Sequence, residues 1–358
     1  MSLVFYDGFE HTVGSIEGPE SIPVGPDGWD VGSDYGDRTT VVRAGTGVQS
    51  LLQSTGLNLL RKTVPADDVL IIGFAWKPRL TTTLGHASPG NYFAQVLAAD
   101  GTTVVARLRL TPGDVAGNRR LAIDVGGTQV VQAPSDLPSL SWRYTEVKFD
   151  FGIGTIQVRM DETVNADTAG VTFPAQGRIV QMAAPSDTNQ RLLLDDIYIV
   201  NSDVSDGIVN YLGDVRILRA AIPLSGVTPT FAEWVTTAGN YYALGFTDPS
   251  TDTDRQAVAD VLGQRISVHS ADVSAPGADI EVLSVSVASI LWNQGGTPLP
   301  VRGLVVDGAG VGHSSPSVVV PSSNKRMAMF RFDNDPSTAA PWELANVNAY
   351  ELGLVAEA

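Results

Sequence analysis

The chain has 358 residues, enough for about two domains of ordinary size. It contains no cysteine, which excludes disulfides, cysteine-ligated zinc, iron–sulfur clusters and thiol nucleophiles. Asp and Glu outnumber Lys and Arg by 39 to 23, giving a formal net charge of −16, and such a surface repels the phosphate backbone of nucleic acid.

Basic residues are too few and too scattered to form the stripe that a nucleic-acid-binding protein needs. The three close basic pairs are interpreted as solvated strand and loop positions. They are Arg107 with Arg109, Arg119 with Arg120, and Lys325 with Arg326. The sequence therefore predicts that nucleic acid is not a partner.

No segment has the pattern of a membrane-spanning helix. The longest weakly polar stretch, 282–292, is interrupted by three serines and is far shorter than the ~20 residues that a bilayer-spanning helix needs. The first residues also lack the charged and apolar regions of a signal peptide. We expect folding in a cytoplasm and no membrane insertion.

In the first half, short apolar segments alternate with Gly- and Pro-containing turns, which is typical of antiparallel β structure. Most segments alternate apolar and polar residues; in 144–151, for example, Val147 and Phe149 share one face and Glu146 and Lys148 the other. Gly126-Gly127 is suited to a hairpin turn with positive φ. Strands are predicted at 69–76, 103–110, 121–125, 128–132, 144–151, 154–161 and 192–200.

A short polar segment, 201–207, marks the best domain boundary, so the sequence predicts domains at 1–203 and 204–358. The second half is again mainly β, with strands predicted at 212–221, 241–246, 280–292, 301–306 and 327–332. One short helix is predicted at 252–262, because it begins with acidic residues and places Ala257, Val258, Val261 and Leu262 on one face before Gly263.

The order of features in residues 3–200 resembles the concanavalin A-like, laminin G-like jelly roll. The resemblance lies in an opening Asp7-Gly8-Phe9, an apolar strand at 69–76, a Trp-x-x-x-x-Val-Lys-Phe strand at 142–149, and a closing strand at 192–200. It implies a jelly-roll sandwich for the N-terminal domain. Together with the strand pattern of the second half, the sequence predicts an all-β fold in which this sandwich precedes a smaller, mainly antiparallel β domain with one short helix.

A second resemblance covers the junction and the end of the chain. Leu194-Asp-Asp-Ile-Tyr-Ile-Val, Asn210-Tyr-Leu-Gly-Asp-Val-Arg-Ile, and Phe332-Asp-Asn-Asp-Pro are similar to segments of tailed-bacteriophage virion proteins. This resemblance implies a tail or capsid-surface component that is made in the host bacterial cytoplasm. Its partners would be other virion proteins, and a homo-oligomer, with a trimer as the expected form, follows from the symmetry of phage appendages.

The sequence shows no catalytic or metal-binding pattern, so it predicts no catalytic residue, no cofactor and no metal site. Asp195 and Asp196 are adjacent, so on a strand they point to opposite faces, and a bulge or turn at a strand edge is the favoured interpretation. Asp248, Asp252 and Asp254 favour a solvated helix-capping loop over calcium. The histidines lack the spacing of metal ligands. They are His11, His86, His269 and His313.

Two aromatic pairs in polar, Gly-rich loops are the candidate ligand-binding residues: Trp29 with Tyr35, and His86 with Tyr92. Aromatic faces stack on sugar rings while neighbouring polar groups bind the hydroxyls. The alternative is that these aromatic residues plug one end of the sandwich.

Three functions follow from these patterns. The first is a non-enzymatic virion structural protein, such as a tail protein or capsid decoration, that acts through protein–protein contacts. The alternative is a carbohydrate-binding protein that adsorbs to host surface glycans. The third is a glycan depolymerase, which requires two carboxylates converging on one groove.

Overall fold

The structure is a computed structural model, and it describes the residues of most strands and their connecting turns. None of the helical segments in this part of the chain has the length and apolar character needed to span a membrane. The described residues are 3–7, 29–32, 38–39, 50–52, 59–78, 92–115, 118–134, 141–183, 192–201, 210–217, 230–236, 257–258, 262–269, 272–273, 281–291, 298–320 and 326–357.

The chain forms two compact units, and the change from the first to the second falls after Ile217. The predicted boundary near residue 204 lies in 202–209, outside the described residues, and stays a prediction. Residues 210–217 pack with the first unit.

The first unit contains an eight-stranded antiparallel sheet with the strand order β13-β12-β11-β6-β15-β4-β3, in which β1 also pairs with β15. Its strands are β1 (Leu3–Asp7), β3 (Arg38–Thr39), β4 (Ser50–Leu52), β6 (Val69–Pro78), β11 (Arg143–Asp150), β12 (Thr155–Met160), β13 (Thr163–Ala169) and β15 (Leu192–Asn201).

A seven-stranded antiparallel sheet, in the order β10-β9-β8-β7-β14-β5-β2, completes this unit. Its strands are β2 (Val31–Gly32), β5 (Leu59–Thr63), β7 (Ala94–Leu97), β8 (Val104–Pro112), β9 (Arg119–Val125), β10 (Thr128–Gln132) and β14 (Ile179–Ala183). Gly126 and Gly127, between β9 and β10, have φ of 57° and 82°, which confirms the predicted positive-φ turn.

The two sheets pack face to face, and the main core lies between them. Phe93, just before β7, has its ring centroid 5.7 Å from Phe74 and 6.2 Å from Trp76, both on β6 of the other sheet. The chain crosses repeatedly between the sheets, from β5 to β6, from β6 to β7, from β10 to β11 and from β13 to β14. The predicted jelly-roll sandwich is therefore confirmed.

The second unit is also mainly β. A four-stranded sheet has the order β18-β23-β20-β21, and β16–β17 and β19–β22 form two further pairs. Its elements are β16 (Val235–Thr236), β17 (Ala257–Val258), β18 (Arg265–His269), β19 (Val285–Leu291), β20 (Leu299–Val306), β21 (Gly312–Val320), β22 (Arg326–Phe332), α1 (Leu344–Ala349) and β23 (Glu351–Ala356). The strands predicted at 280–292, 301–306 and 327–332 are confirmed, and 241–246 lies outside the described residues.

The helix predicted at 252–262 is wrong where the structure describes it. Ala257 and Val258 form β17, paired with β16, and Leu262 lies in a turn. A helix this short is marginal without tertiary packing, and its β-branched valines favour an extended backbone, so strand pairing prevails. The helix in the described part of the chain is α1. Its N-cap residue, Glu343, makes no side-chain capping hydrogen bond, so the sequence has no N-cap signal for this helix.

The strand predicted at 212–221 is also wrong over its described part. Residues 211–217 are irregular, and Gly213 adopts a φ of 80°, which interrupts an extended strand. Instead of extending a sheet, 210–217 lies across one; we call this segment the strap.

Candidate functional site

The strap covers the outer face of the eight-stranded sheet and is held there by carboxylates. The backbone N–H of Gly213 donates to Glu146 Oε1 at 2.8 Å, and that of Ile217 donates to Asp196 Oδ1 at 2.9 Å. A third carboxylate, that of Glu162, accepts a longer bond of 3.3 Å from the N–H of Asp214. Three acidic side chains of the sandwich thus satisfy the backbone of a segment that has no strand partner.

Apolar packing and aromatic contacts reinforce these hydrogen bonds. Tyr211, Leu212 and Val215 pack on an apolar cluster that includes Ile71 and Tyr198. The Tyr211 hydroxyl donates to Gln157 Oε1 at 2.8 Å, and the guanidinium of Arg159 lies 4.5 Å from the centre of the Tyr211 ring.

Glu146 is the central group of this face. It is 1% exposed, accepts a hydrogen bond from the hydroxyl of Tyr198, and lies 3.4 Å from the guanidinium of Arg159. The alternation in 144–151 placed Glu146 on the polar face of a half-buried strand; that expectation of exposure is wrong, because the strap excludes solvent there. No local sequence signal identifies a cover supplied by a segment 67 residues away from Glu146.

Asp195 and Asp196 form a β-bulge, as predicted, although it lies inside the sheet rather than at its edge. The register of β15 against β6 shifts between Asp195 and Tyr198, and Asp196 has a φ of 47°. Both carboxylates are fully buried, and Asp195 Oδ1 accepts a bond from the N–H of Asp196 at 2.9 Å. They do not form an open acid pair.

Three tyrosines of this face have raised pKa values. Burial is the main cause for Tyr144, Tyr198 and Tyr211, and the carboxylate of Glu146 adds to it for each of them. The rings of Tyr144 and Tyr198 stack with centroids 6.5 Å apart. The hydroxyls therefore remain protonated at a pH that ionises an ordinary tyrosine, near 10.

The opposite outer face, on the seven-stranded sheet, carries a row of polar side chains that crosses six strands in register. The pairs are Arg61 with Gln181, Gln181 with Gln95, Gln95 with Arg107, Arg107 with Asp124, and Asp124 with Gln129. We call this row the polar stripe: Arg61, Gln181, Gln95, Arg107, Asp124 and Gln129. Val96, next to Gln95, is fully buried and lies, with Phe151, beside Gly177.

The middle of the polar stripe is buried, and several of its polar atoms lack partners. Gln95, Gln181 and Asp124 are 6%, 2% and 5% exposed, whereas Arg61 and Arg107 are half-buried. Gln95 Oε1, Arg107 Nε and Asp124 Oδ1 are buried without any hydrogen-bond partner. Buried polar atoms are almost always satisfied in folded proteins, so three such atoms in one row are unusual; Glu146 Oε2, on the strap face, also lacks a hydrogen bond.

The remaining groups of the polar stripe are bonded to one another. Arg61 Nε donates to Gln181 Oε1 at 2.6 Å. Arg109, on the same face, donates from Nε to Asp124 Oδ2 and from Nη2 to Gln129 Oε1, both at 2.7 Å. Arg109 is thus bonded on both sides, and Arg107 is half-buried, which corrects the expectation that these two arginines are solvated.

Of the four predicted ligand-binding residues, Tyr92 lies beside the polar stripe. Its half-buried ring lies 4.8 Å from the guanidinium carbon of Arg107. Trp29 is fully buried, with its ring centroid 4.4 Å from that of Phe5, so it offers no face to a ligand and instead plugs the sandwich. Tyr35 and His86 lie outside the described residues.

Within the described residues, no group of three or more His, Asp or Glu side chains could hold a metal ion. His313 lies 2.9 Å from Asp307 Oδ2 in the turn before β21, and this bond, together with backbone N–H groups, lowers the pKa of Asp307. His269 lies on β18, in the other unit from the polar stripe. His11, Asp248, Asp252 and Asp254 lie outside the described residues.

No protein-family model and no curated protein matches the chain. Solved structures match part of it. A heptameric SAP-like pentraxin from Limulus polyphemus is 13% identical, with a TM-score of 0.32 over 41% of this chain and 74% of the other. A Lotus tetragonolobus seed lectin is 11% identical, with a TM-score of 0.32 over 46% of this chain and 90% of the other.

The botulinum neurotoxin type G receptor-binding domain is 9% identical, with a TM-score of 0.33 over 50% of this chain and 46% of the other. The match thus spans less than half of that domain. At these identities and TM-scores the matches assign neither a family nor a function to this chain.

Replacing Glu146 with Ala tests the attachment of the strap. We expect the free energy of unfolding of the first unit to fall by about 3 kcal/mol, because the change removes a buried charge-assisted acceptor of two hydrogen bonds. Amide hydrogen exchange at Gly213 should accelerate most. Lys148→Ala, on the same strand and face, should change stability by only about 0.5 kcal/mol; equal losses for the two variants would contradict the assignment.

Alkaline titration tests the burial of the strap face. Because the folded pKa values of Tyr144, Tyr198 and Tyr211 are raised, the stability they contribute is complete below about pH 10, the unfolded value, and falls as the pH rises above it. Tyrosinate absorbance of the native protein should therefore lag behind that of the denatured protein and rise as the first unit unfolds. A smooth titration of all nine tyrosines near pH 10, without unfolding, would contradict this.

Proposed function

We propose that this protein binds carbohydrate without acting on it, and that the polar stripe is the binding surface. One observation carries the proposal: Gln95 Oε1, Arg107 Nε and Asp124 Oδ1 are buried in one cross-strand row without partners. Leaving such atoms unsatisfied costs about 1–3 kcal/mol each, and ligand hydroxyls that enter as the covering side chains move aside would remove that cost.

The chemistry of the polar stripe suits sugar hydroxyls. A hydroxyl both donates and accepts, so it can bond at once to an amide or carboxylate oxygen, such as that of Gln95 or Asp124, and to a guanidinium N–H, such as that of Arg107. Tyr92 adds an aromatic ring beside these groups, and aromatic rings with a few fixed polar groups are the usual components of a small-ligand site.

The arrangement of carboxylates supports binding rather than hydrolysis. Glycoside hydrolysis uses two carboxylates on either side of the bond to be cleaved. The polar stripe contains one, Asp124, which is paired with Arg109 at 2.7 Å. On the other sheet, Glu146 and Asp196 are buried and bonded to the strap.

Replacing Gln95 with Leu keeps the volume of the side chain but removes its amide. We expect binding on a glycan array, followed by calorimetry with the best ligand, to weaken about tenfold or more, because one buried hydrogen-bonding group is lost. Thermal stability should be retained, since the removed oxygen has no partner in the protein.

Gln157→Leu is the matched control on the opposite sheet. It removes the hydrogen bond to Tyr211 and should lower stability without weakening glycan binding. If no glycan binds to the native protein, or if the Gln95 variant binds as well as the native protein, the proposal fails.

The tailed-phage virion is the proposed setting, and the resemblance of the junction and C-terminal segments supports it. One of the resembling segments, 210–217, is the strap. In this setting the protein would assemble on capsid or tail proteins as a homo-oligomer, with a trimer as the expected form, and would present the polar stripe to host surface glycans. Many copies would make weak individual contacts sufficient.

Immunogold labelling of purified phage particles tests the setting, and light scattering of the isolated protein tests the oligomer. We expect labels at a fixed position on each particle and a mass that is a multiple of 37.8 kDa, with three copies as the predicted number. Particles that lack the protein would contradict the virion setting, and a monomer would contradict the oligomer.

A further inference from the structure

The polar stripe has the opposite charge to the rest of the chain. The polar stripe and the neighbouring Arg109 carry three arginines, Arg61, Arg107 and Arg109, against one carboxylate, Asp124, whereas the chain as a whole has a formal net charge of −16. We infer that the polar stripe binds a negatively charged saccharide, one that bears carboxylate or sulfate groups; this inference rests on the proposed function.

Only one of the three arginines is neutralised. Arg109 Nε lies 2.7 Å from Asp124 Oδ2. Arg61 donates to the neutral amide of Gln181, and Arg107 lies over the ring of Tyr92. Neither of these two arginines lies within 4.0 Å of a carboxylate among the described residues, so within this part of the chain neither positive charge is neutralised.

Arg107 is the better placed of the two to meet an anion. Its side chain is half-buried, and its Nε is enclosed by the protein without an acceptor, so an anion bonds to Nε as neighbouring side chains move aside. In a guanidinium, Nε and one Nη form the fork that binds two oxygens of a carboxylate or sulfate side by side. A half-buried fork gains more from an anionic acceptor than an exposed one does, because the surroundings screen the charge less than water does.

The spacing suits an oligosaccharide rather than a single small anion. Arg61 and Arg107 are three strands apart, which at about 4.8 Å per strand places their backbones about 14 Å from each other. The amides of Gln181 and Gln95 lie between them, so neutral hydroxyls would contact the middle of the polar stripe and acidic groups its two flanks.

The test compares the binding of oligogalacturonate with that of its methyl ester, which has the same sugar backbone without the negative charge. A wider panel adds sialylated, sulfated and neutral oligosaccharides. We expect an acidic member to bind about tenfold or more tightly than its uncharged counterpart, as one charge-assisted pair would give. Added salt should weaken that preference.

Arg107→Gln should abolish the preference for the charged ligand without lowering the melting temperature, and Arg107→Lys should restore part of it, because lysine keeps the charge but lacks the fork. Arg61→Gln should reduce the preference for longer acidic chains. Arg143→Gln, which removes an exposed cation paired with Asp161 on the other sheet, is the matched control and should leave binding unchanged.

Two results overturn the inference in distinguishable ways. Binding of neutral and acidic saccharides with equal affinity would overturn the charge preference and leave the proposed carbohydrate binding intact. Binding of no saccharide in the panel would overturn both.

Discussion

A buried polar atom needs a hydrogen-bond partner, and the two outer faces of this sandwich differ in how far the chain itself meets that requirement. On the eight-stranded sheet the chain supplies its own partners, since the strap brings backbone N–H groups to Glu146 and Asp196. On the seven-stranded sheet, Gln95 Oε1 and Asp124 Oδ1 lack partners. The strap thus satisfies part of the first face, although Glu146 Oε2 there still has no hydrogen bond, whereas no described segment of the chain bonds to these two oxygens on the second face.

The strap also restricts the chemistry open to this fold. A carboxylate is available for acid–base catalysis only if it can reach a substrate, and Glu146 and Asp196 are instead bonded to the backbone and excluded from solvent. The groups that could have made an acidic groove thus contribute to holding the chain in place. This division of roles, with structural carboxylates on one sheet and buried polar atoms without partners on the other, is the basis of the proposed carbohydrate binding.

Local pattern was enough to predict most of the first unit. Two strands, 144–151 and 154–161, and the turn at Gly126-Gly127 can be predicted from the sequence. Their patterns depend only on neighbours within a few residues. The strap was mistaken for a strand because its apolar residues suit either structure, and only Gly213 marks the irregular backbone. The sequence does not separate Tyr92, which lies beside Arg107, from Trp29, which is fully buried, because a loop aromatic that fills a core has the same sequence pattern as one that binds a ligand.

The polar stripe could not be predicted from the sequence, and the reason lies in strand register. Gln95 and Gln181 are 86 positions apart in the chain but become neighbours through the pairing of β7 with β14, and Arg61 joins them through β5. Each residue alone is an ordinary polar position on an alternating strand, so neither composition nor motif reveals the row. Register converts these scattered positions into one surface, and since a slip of one residue would turn every one of these side chains into the core, the pairing that stabilises the sheet also fixes the site.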